Sequence, residues 1–280
     1  MAAVEAPAAP PPELVLTGNW TTPRALLASL VRSRGLCMTL ARKDFFVRYR
    51  RAVLGVFWAA ALPVIQALVL AIVLRHVTRV DVPHYAVFVF AGITMWTYFL
   101  AAMTAGTTAI VDNSPLCSRI YFPRAVLPLA ACVSNLFTLV TAGGLLLIAS
   151  LASGVRPDLH LLLAVPAAIM IVLVTAGLTL VVSALHVYFR DMRYLVQAAL
   201  FLWFYVTPVF YPLTLLHGAT RKLVEINPLT APVQLLQAAA VRHVDLSATA
   251  ITSTLVCSLV LLGAALVLHC RHDRTFADLL

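Results

Sequence analysis

Between Asp158 and Arg190 the chain reads LHLLLAVPAAIMIVLVTAGLTLVVSALHVYF, residues Leu159 to Phe189, thirty-one positions without one Asp, Glu, Lys or Arg. About 20 apolar residues in a helix cover the ~30 Å hydrocarbon core of a bilayer, so the stretch is long enough to cross once and too short to cross twice. Five more uncharged stretches flank it: Val53 to Leu74, Tyr85 to Val111, Ala125 to Val155, Tyr194 to Thr220 and Leu246 to Cys270, of 22, 27, 31, 27 and 25 residues. The predicted fold class is all-α, a polytopic membrane protein with six transmembrane helices. A seventh run, Ile226 to Val241, has only 16 residues and carries Pro228 and Pro232, which predicts a re-entrant or interfacial helix before the last crossing.

Composition agrees. Of 280 residues 62% are hydrophobic and 11% charged, with mean hydropathy +0.95, whereas a soluble domain needs roughly 25% charged residues to wet its surface. Soluble and disordered classes are excluded, and Gly and Pro follow no fibrous period. With the N-terminus cytoplasmic, 14 of the 20 basic residues fall in inside segments, so the positive-inside rule predicts both termini in the cytoplasm. The net charge of +9 is mostly this bias plus attraction to anionic head groups, and it calls for no nucleic acid.

Residues 1–30 are rich in Ala and Pro and lack the apolar core of a signal peptide, which predicts a flexible cytoplasmic tail. Residues 31–52 read as an interfacial amphipathic helix, with Arg42, Lys43, Arg48, Arg50 and Arg51 among head groups or facing a partner. Leu36, Leu40 and Val47 form one stripe; Met38, Phe45 and Tyr49 form a second nearly opposite, one for lipid and one for protein. A basic flank that only fixes orientation is the competing reading. Residues 53–280 are then the transmembrane domain.

The six spans hold no acidic or basic side chain, which removes the usual marks of ion coupling and voltage sensing. His160, His186 and His269 sit near span ends. Cys37, Cys117, Cys132, Cys257 and Cys270 show no C-x-x-C spacing, so no metal site and no disulfide frame is expected. No phosphate loop, nucleophile elbow or zinc motif is present, so no cofactor is expected on this chain, and it is not expected to be an enzyme.

Several local strings stand in order. Arg48-Tyr49-Arg50-Arg51-Ala52-Val53-Leu54-Gly55-Val56-Phe57-Trp58 joins the basic helix to the first span. Phe88-Val89-Phe90-Ala91-Gly92-Ile93-Thr94-Met95-Trp96 lies in the second. Asp112-Asn113-Ser114-Pro115-Leu116 and Ile120-Tyr121-Phe122-Pro123-Arg124 lead into the third. Tyr188-Phe189-Arg190-Asp191-Met192-Arg193 links the fourth and fifth. Thr207-Pro208-Val209-Phe210-Tyr211-Pro212 and Ile226-Asn227-Pro228-Leu229-Thr230 complete the set. From Leu40 to Cys270 this order resembles membrane subunits of second-type ATP-binding-cassette exporters of O-antigen, teichoic acid and capsule polysaccharides. The Ala-rich tail and Ala/Val/Leu-heavy spans look most like an actinobacterial cell-wall galactan exporter. Two positions depart from the family pattern: Arg119 stands where a Lys is common, and Gln237 or Arg242 where an Arg follows the Asn-Pro helix.

The resemblance implies a homodimer in the plasma membrane with two nucleotide-binding ATPase subunits, ATP and Mg bound on those partners, and a lipid-linked polysaccharide as cargo. Asp112 to Arg124 is the expected main coupling element, with Asp112, Pro115, Arg119, Phe122, Pro123 and Arg124 facing the ATPase. Arg190 and Asp191 are a second contact or an internal pair closing their turn. Sugar C–H faces stack on aromatic rings, so Trp203, Phe204, Tyr205, Phe210 and Tyr211 with Asn227 are candidates for the substrate path. Trp203, Tyr205, Tyr211 and the Asn227-Pro228 helix are the expected external gate. A same-superfamily exporter of drugs or lipids is an alternative. An integral membrane glycosyl- or acyltransferase is another, weakened because the outer acids Asp81, Asp158, Glu225 and Asp245 are scattered.

Overall fold

The computed structural model describes residues 22–49, 57–78, 82–117, 120, 122–155, 158–241 and 244–279. Among these there is no strand, and the α-helices are α1 (Pro23–Arg32), α2 (Arg34–Tyr49), α3 (Phe57–Thr78), α4 (Tyr85–Asp112), α5 (Ser114–Cys117), α6 (Val126–Ala152), α7 (Ala164–Tyr188), α8 (Met192–Val206), α9 (Gly218–Ile226), α10 (Thr230–Ala240) and α11 (Ala248–Leu279). Four helical stretches are long and apolar enough to cross a membrane: α4, α6, Leu159–Tyr188 with its leading 3-10 turn, and α11 as far as His272. The segments expected as first and fifth crossings carry shorter apolar helices, Ala61–Leu74 within α3 and Met192–Val206. The chain is thus a multi-pass membrane protein.

α4 is the hub. It packs on α3, α6, α7, α8 and α10, and 78% of its most apolar stretch is buried inside the chain, against 17% for α11. Large side chains lie on every face of it, with Phe88, Ile93, Met95, Tyr98, Phe99 and Ile110 fully buried, the pattern of a helix surrounded by protein. Lipid tails are as apolar as leucine, so close backbone approach rather than water exclusion holds such helices together. Gly92 supplies one approach: a Cβ there would run into the Val209 carbonyl oxygen, with the Val209 Cα 2.8 Å away. At the far end of α6 the chain reverses through Gly154, whose φ of +83° closes the helix. The Val155 N–H donates to Ser150 O at 3.1 Å and the Gly154 N–H to Leu151 O at 3.0 Å.

Three expectations change. The fifth stretch is not one helix: α8 stops after 15 residues, about 22 Å, because Pro208 has no N–H and drives Thr207 into an extended conformation with ψ 135°. The run Ile226 to Val241 is not one helix either; Ile226 closes α9, Asn227 to Leu229 form a turn, and α10 starts at Thr230. At the N-terminus, α1 begins inside the segment expected to be tail. The Thr22 hydroxyl accepts from the Ala25 N–H at 3.3 Å, Pro23 occupies the first turn, and Leu26 is buried where α1 packs on α11. Residues 1–21 of that tail lie outside the described residues.

α2 is a separate helix after Ser33, and its protein-facing stripe differs from both expected ones. Cys37, Leu40, Ala41, Asp44, Phe45 and Arg48 follow i, i+3, i+4, i+7, i+8, i+11 spacing toward α6, while Met38 and Val47 are exposed. A cysteine, an aspartate and an arginine on that face hid it from a count of apolar positions.

Replacing Gly92 by Val should lower the thermal midpoint of the detergent-purified protein, by overpacking of about 1–3 kcal/mol against backbone that cannot yield. Gly263→Ala, whose new methyl meets nothing within 4 Å, should leave the midpoint unchanged or higher; fluorescence-detected size exclusion after heating reads both.

Candidate functional site

The break after α8 leaves backbone carbonyls without helical partners in an apolar setting, and side chains from three places satisfy them. The Tyr211 hydroxyl donates to Val206 O at 3.0 Å. The Gln237 amide, from α10 and 1% exposed, donates to Pro208 O at 3.1 Å and Val209 O at 3.2 Å. The Tyr85 hydroxyl, at the start of α4, donates to Phe210 O at 2.6 Å. Irregular backbone at membrane depth persists only where such groups are re-satisfied. Tyr85 and Gln237 were not among the residues singled out from the sequence as site candidates. Each was a polar group in a stretch scanned only for full charges.

Asn227 closes the same region. Its Oδ1 accepts from Trp203 Nε1 at 2.9 Å and from the Leu229 N–H at 3.1 Å, while its Nδ2 donates to Thr207 Oγ1 at 3.1 Å. The buried Asn227 therefore ties α8, the break and the α9–α10 turn together, its amide oxygen accepting twice while its amide nitrogen donates. Trp203 and Phe204 in turn lock onto α4, edge-to-face on Phe99 at 5.5 Å and Trp96 at 5.2 Å between ring centroids. Phe204, Tyr205, Phe210 and Tyr211 continue the ring contacts at 5.2–6.5 Å. Every aromatic expected on the path is thus in one cluster with Asn227. Their surfaces differ: Trp203, Phe204, Phe210 and Tyr211 are half-buried, and Tyr205 is exposed.

The other end of α4 carries the charged loops. Asp112, Pro115, Arg190 and Asp191 are exposed, and Asp112 lies within electrostatic range of His186 and Arg193, so the two segments expected to contact a partner sit together. Tyr188 anchors this patch to α11 through a hydroxyl to His272 Nδ1 contact of 2.8 Å. Phe122, Pro123 and Arg124 are buried: Phe122 packs with Leu40, Ala41, Ile110 and Leu127, and Arg124 is 4% exposed. They underpin the loop instead of presenting it. Arg119 lies outside the described residues.

On α2, Arg42 and Lys43 are exposed, Arg50 and Arg51 lie outside the described residues, and Arg48 turns to α6, donating from Nη1 to Asn135 Oδ1 at 2.6 Å. Asn135 stands nine residues into α6, about 13 Å along it. Phe45 rests on Phe137 with ring centroids 4.4 Å apart. Burial lifts the Asp44 carboxyl above its ordinary value, against the lowering effect of Lys43 and Arg48. Among the described residues no His, Cys, Asp or Glu group converges as metal ligands.

Gln237→Leu keeps the size of the side chain and strips the donor from two carbonyls, which costs about 1–3 kcal/mol for each buried group left unpaired. A lower thermal midpoint in detergent is expected; an unchanged one means the break is held by other groups.

The ABC-2 type transporter family matches residues 35–241, from the first turn of α2 to the residue after α10. The chain is similar to the O-antigen export system permease protein RfbA of Myxococcus xanthus, 31% identical over 256 residues covering 90% of this chain and 98% of that one. It is also similar to the protein of the same name from Klebsiella pneumoniae, 28% identical over 199 residues, 71% of this chain and 77% of that one. The chain belongs to the ABC-2 type transporter family.

Proposed function

We propose that the chain is the permease subunit of an ATP-driven exporter that moves a lipid-linked polysaccharide, of O-antigen or cell-wall galactan type, from the cytoplasm across the plasma membrane. The observation that carries this is the near end-to-end likeness to a permease named for O-antigen export. Two copies form the path and two nucleotide-binding subunits bind ATP and Mg; this chain binds no cofactor and catalyses no reaction.

Contacts at the two ends of α4 support a topology for the chain. Tyr85 meets the break at Phe210, Ser150 at the end of α6 donates to Ala240 O at 2.9 Å, and the Leu159–Leu163 turn packs on α10. Residues 207–241 therefore gather on the side away from Asp112 and Arg190. Six crossings fit: α3, α4, α6, Leu159–Tyr188, α8 with its irregular continuation, and α11. The basic-residue bias sets both termini in the cytoplasm, α2 lies at the cytoplasmic interface, and α9 and α10 form a re-entrant pair on the outer side.

Within this arrangement Asp112, Pro115, Arg190 and Asp191 face the ATPase, with Phe122, Pro123 and Arg124 as the rigid base. The outer cluster of Trp203, Phe204, Tyr205, Phe210, Tyr211 and Asn227 borders the path. Trp203, Tyr211 and Asn227 hold its shape, and the open Tyr205 ring is the surface on which a sugar stacks without a fixed hydrogen-bond code.

Two tests separate these roles. Tyr205→Ala should lower polysaccharide export while the ATPase subunit still co-purifies; normal export removes Tyr205 from the path. Charge reversal of both Arg190 and Arg193 to Glu should reduce ATPase co-purification by about tenfold, equivalent to ~1.4 kcal/mol of lost contact. Undiminished co-purification excludes this patch as the docking surface.

A further inference from the structure

A cleft of about 320 Å³ runs beside α6 in the half of the membrane remote from Asp112, walled by Gly143, Gly144, Leu147 and Ser150 on one side and by Leu161 and Ala240 on the other. We propose that this cleft is a lipid site, taking one acyl chain of a phospholipid from the leaflet remote from the Asp112–Arg124 loop.

Space, depth and chemistry agree on that occupant. A Cβ built on Gly143 or Gly144 meets nothing within 4 Å, so the volume is open to the helix backbone itself. Gly143 to Ser150 covers about 10 Å of α6 and ends at the last turn of the helix. That length and level match the acyl region of one leaflet, half of the ~30 Å core. Among the described residues, the one hydroxyl on the wall is already used, since Ser150 donates to Ala240 O, so none of these lining side chains offers a hydroxyl to a polar ligand. The mouth is apolar, with the lining residues Leu147 and Leu161 both exposed on opposite walls, which opens the cleft to lipid. A second cleft of about 380 Å³ shares the Leu159–Leu163 turn and α10 as walls and has the exposed His160 at its edge, room for a polar head group above the tail. A site of this kind wedges a lipid between α6 and α10, the helix that supplies Gln237 to the α8 break.

The full-length protein is reconstituted in phosphatidylethanolamine and phosphatidylglycerol vesicles containing a phospholipid with a diazirine on its acyl chain, diluted into detergent, photolysed and mapped by peptide mass spectrometry. Bulk lipid exchanges away on dilution. Label should persist on residues 143–151 and 159–164 while falling by about tenfold on the exposed Leu255, Leu259 and Val260 face of α11, a retention advantage of ~1.4 kcal/mol. Gly144→Phe fills the cleft from α6 and Leu161→Trp fills it from the opposite wall; each should abolish the retained label and leave the α11 label as it was. Equal loss from both faces in the wild-type protein overturns the proposal, as does label unaffected by both fillings. Displacement by a long-chain polyprenyl phosphate but not by excess phospholipid also overturns it, assigning the cleft to a different lipid.

Discussion

Hydrocarbon offers no hydrogen bonds, and the backbone between Val206 and Leu213 departs from helix in the middle of an otherwise apolar protein. Four of its carbonyls, at Val206, Pro208, Val209 and Phe210, are taken by Tyr211, Gln237 and Tyr85. The placement of α10, the start of α4 and the aromatic cluster all depend on these donors being within reach. Each unmet carbonyl in lipid costs several kcal/mol, so the break is stable only with α10 seated against it. Gly92, where the α4 backbone all but touches Val209, lets that seat close.

The consequence is a division of labour along α4. One end meets the broken segment, Asn227 and the rings; the other carries Asp112 beside Arg193 and His186. The ends are joined by a single buried helix about 40 Å long, with large side chains on every face. Under the proposed function, this buried helix is a strut between the charged patch and the polar-aromatic cluster. It gives motion imposed at one end a direct mechanical connection to the other.

Much of this was legible in the sequence, and the failures share a cause. Uncharged runs located the stretches Tyr85–Asp112, Val126–Ala152, Leu159–Tyr188 and Ala248–His272 within a few residues, because crossing helices must be long and apolar. A string in the motif order drew attention to Asn227 and the search for stacking rings singled out those of α8, and the fold brings them together. Counting charge alone could not see that Pro208 ends α8, or that the run from Ile226 breaks at Asn227, since both remain apolar through the break. It also passed over Gln237 and Tyr85, whose value lies in one well-placed N–H or O–H. On α2 the reverse occurred: Arg48 was expected among head groups or facing a partner and Asp44 drew no reading, yet both share the stripe that packs on α6. There the Arg48 guanidinium donates to the buried Asn135 amide oxygen.

Under the proposed function the chain is a conduit driven by a separate ATPase. The direct measurement is transfer of a lipid-linked polysaccharide across vesicles holding the purified chain, with and without its nucleotide-binding partner and ATP. Polymer should become protected inside the vesicles only when permease, partner and ATP are all present. Transfer by the permease alone, or transfer unaffected by omitting ATP, would contradict the account.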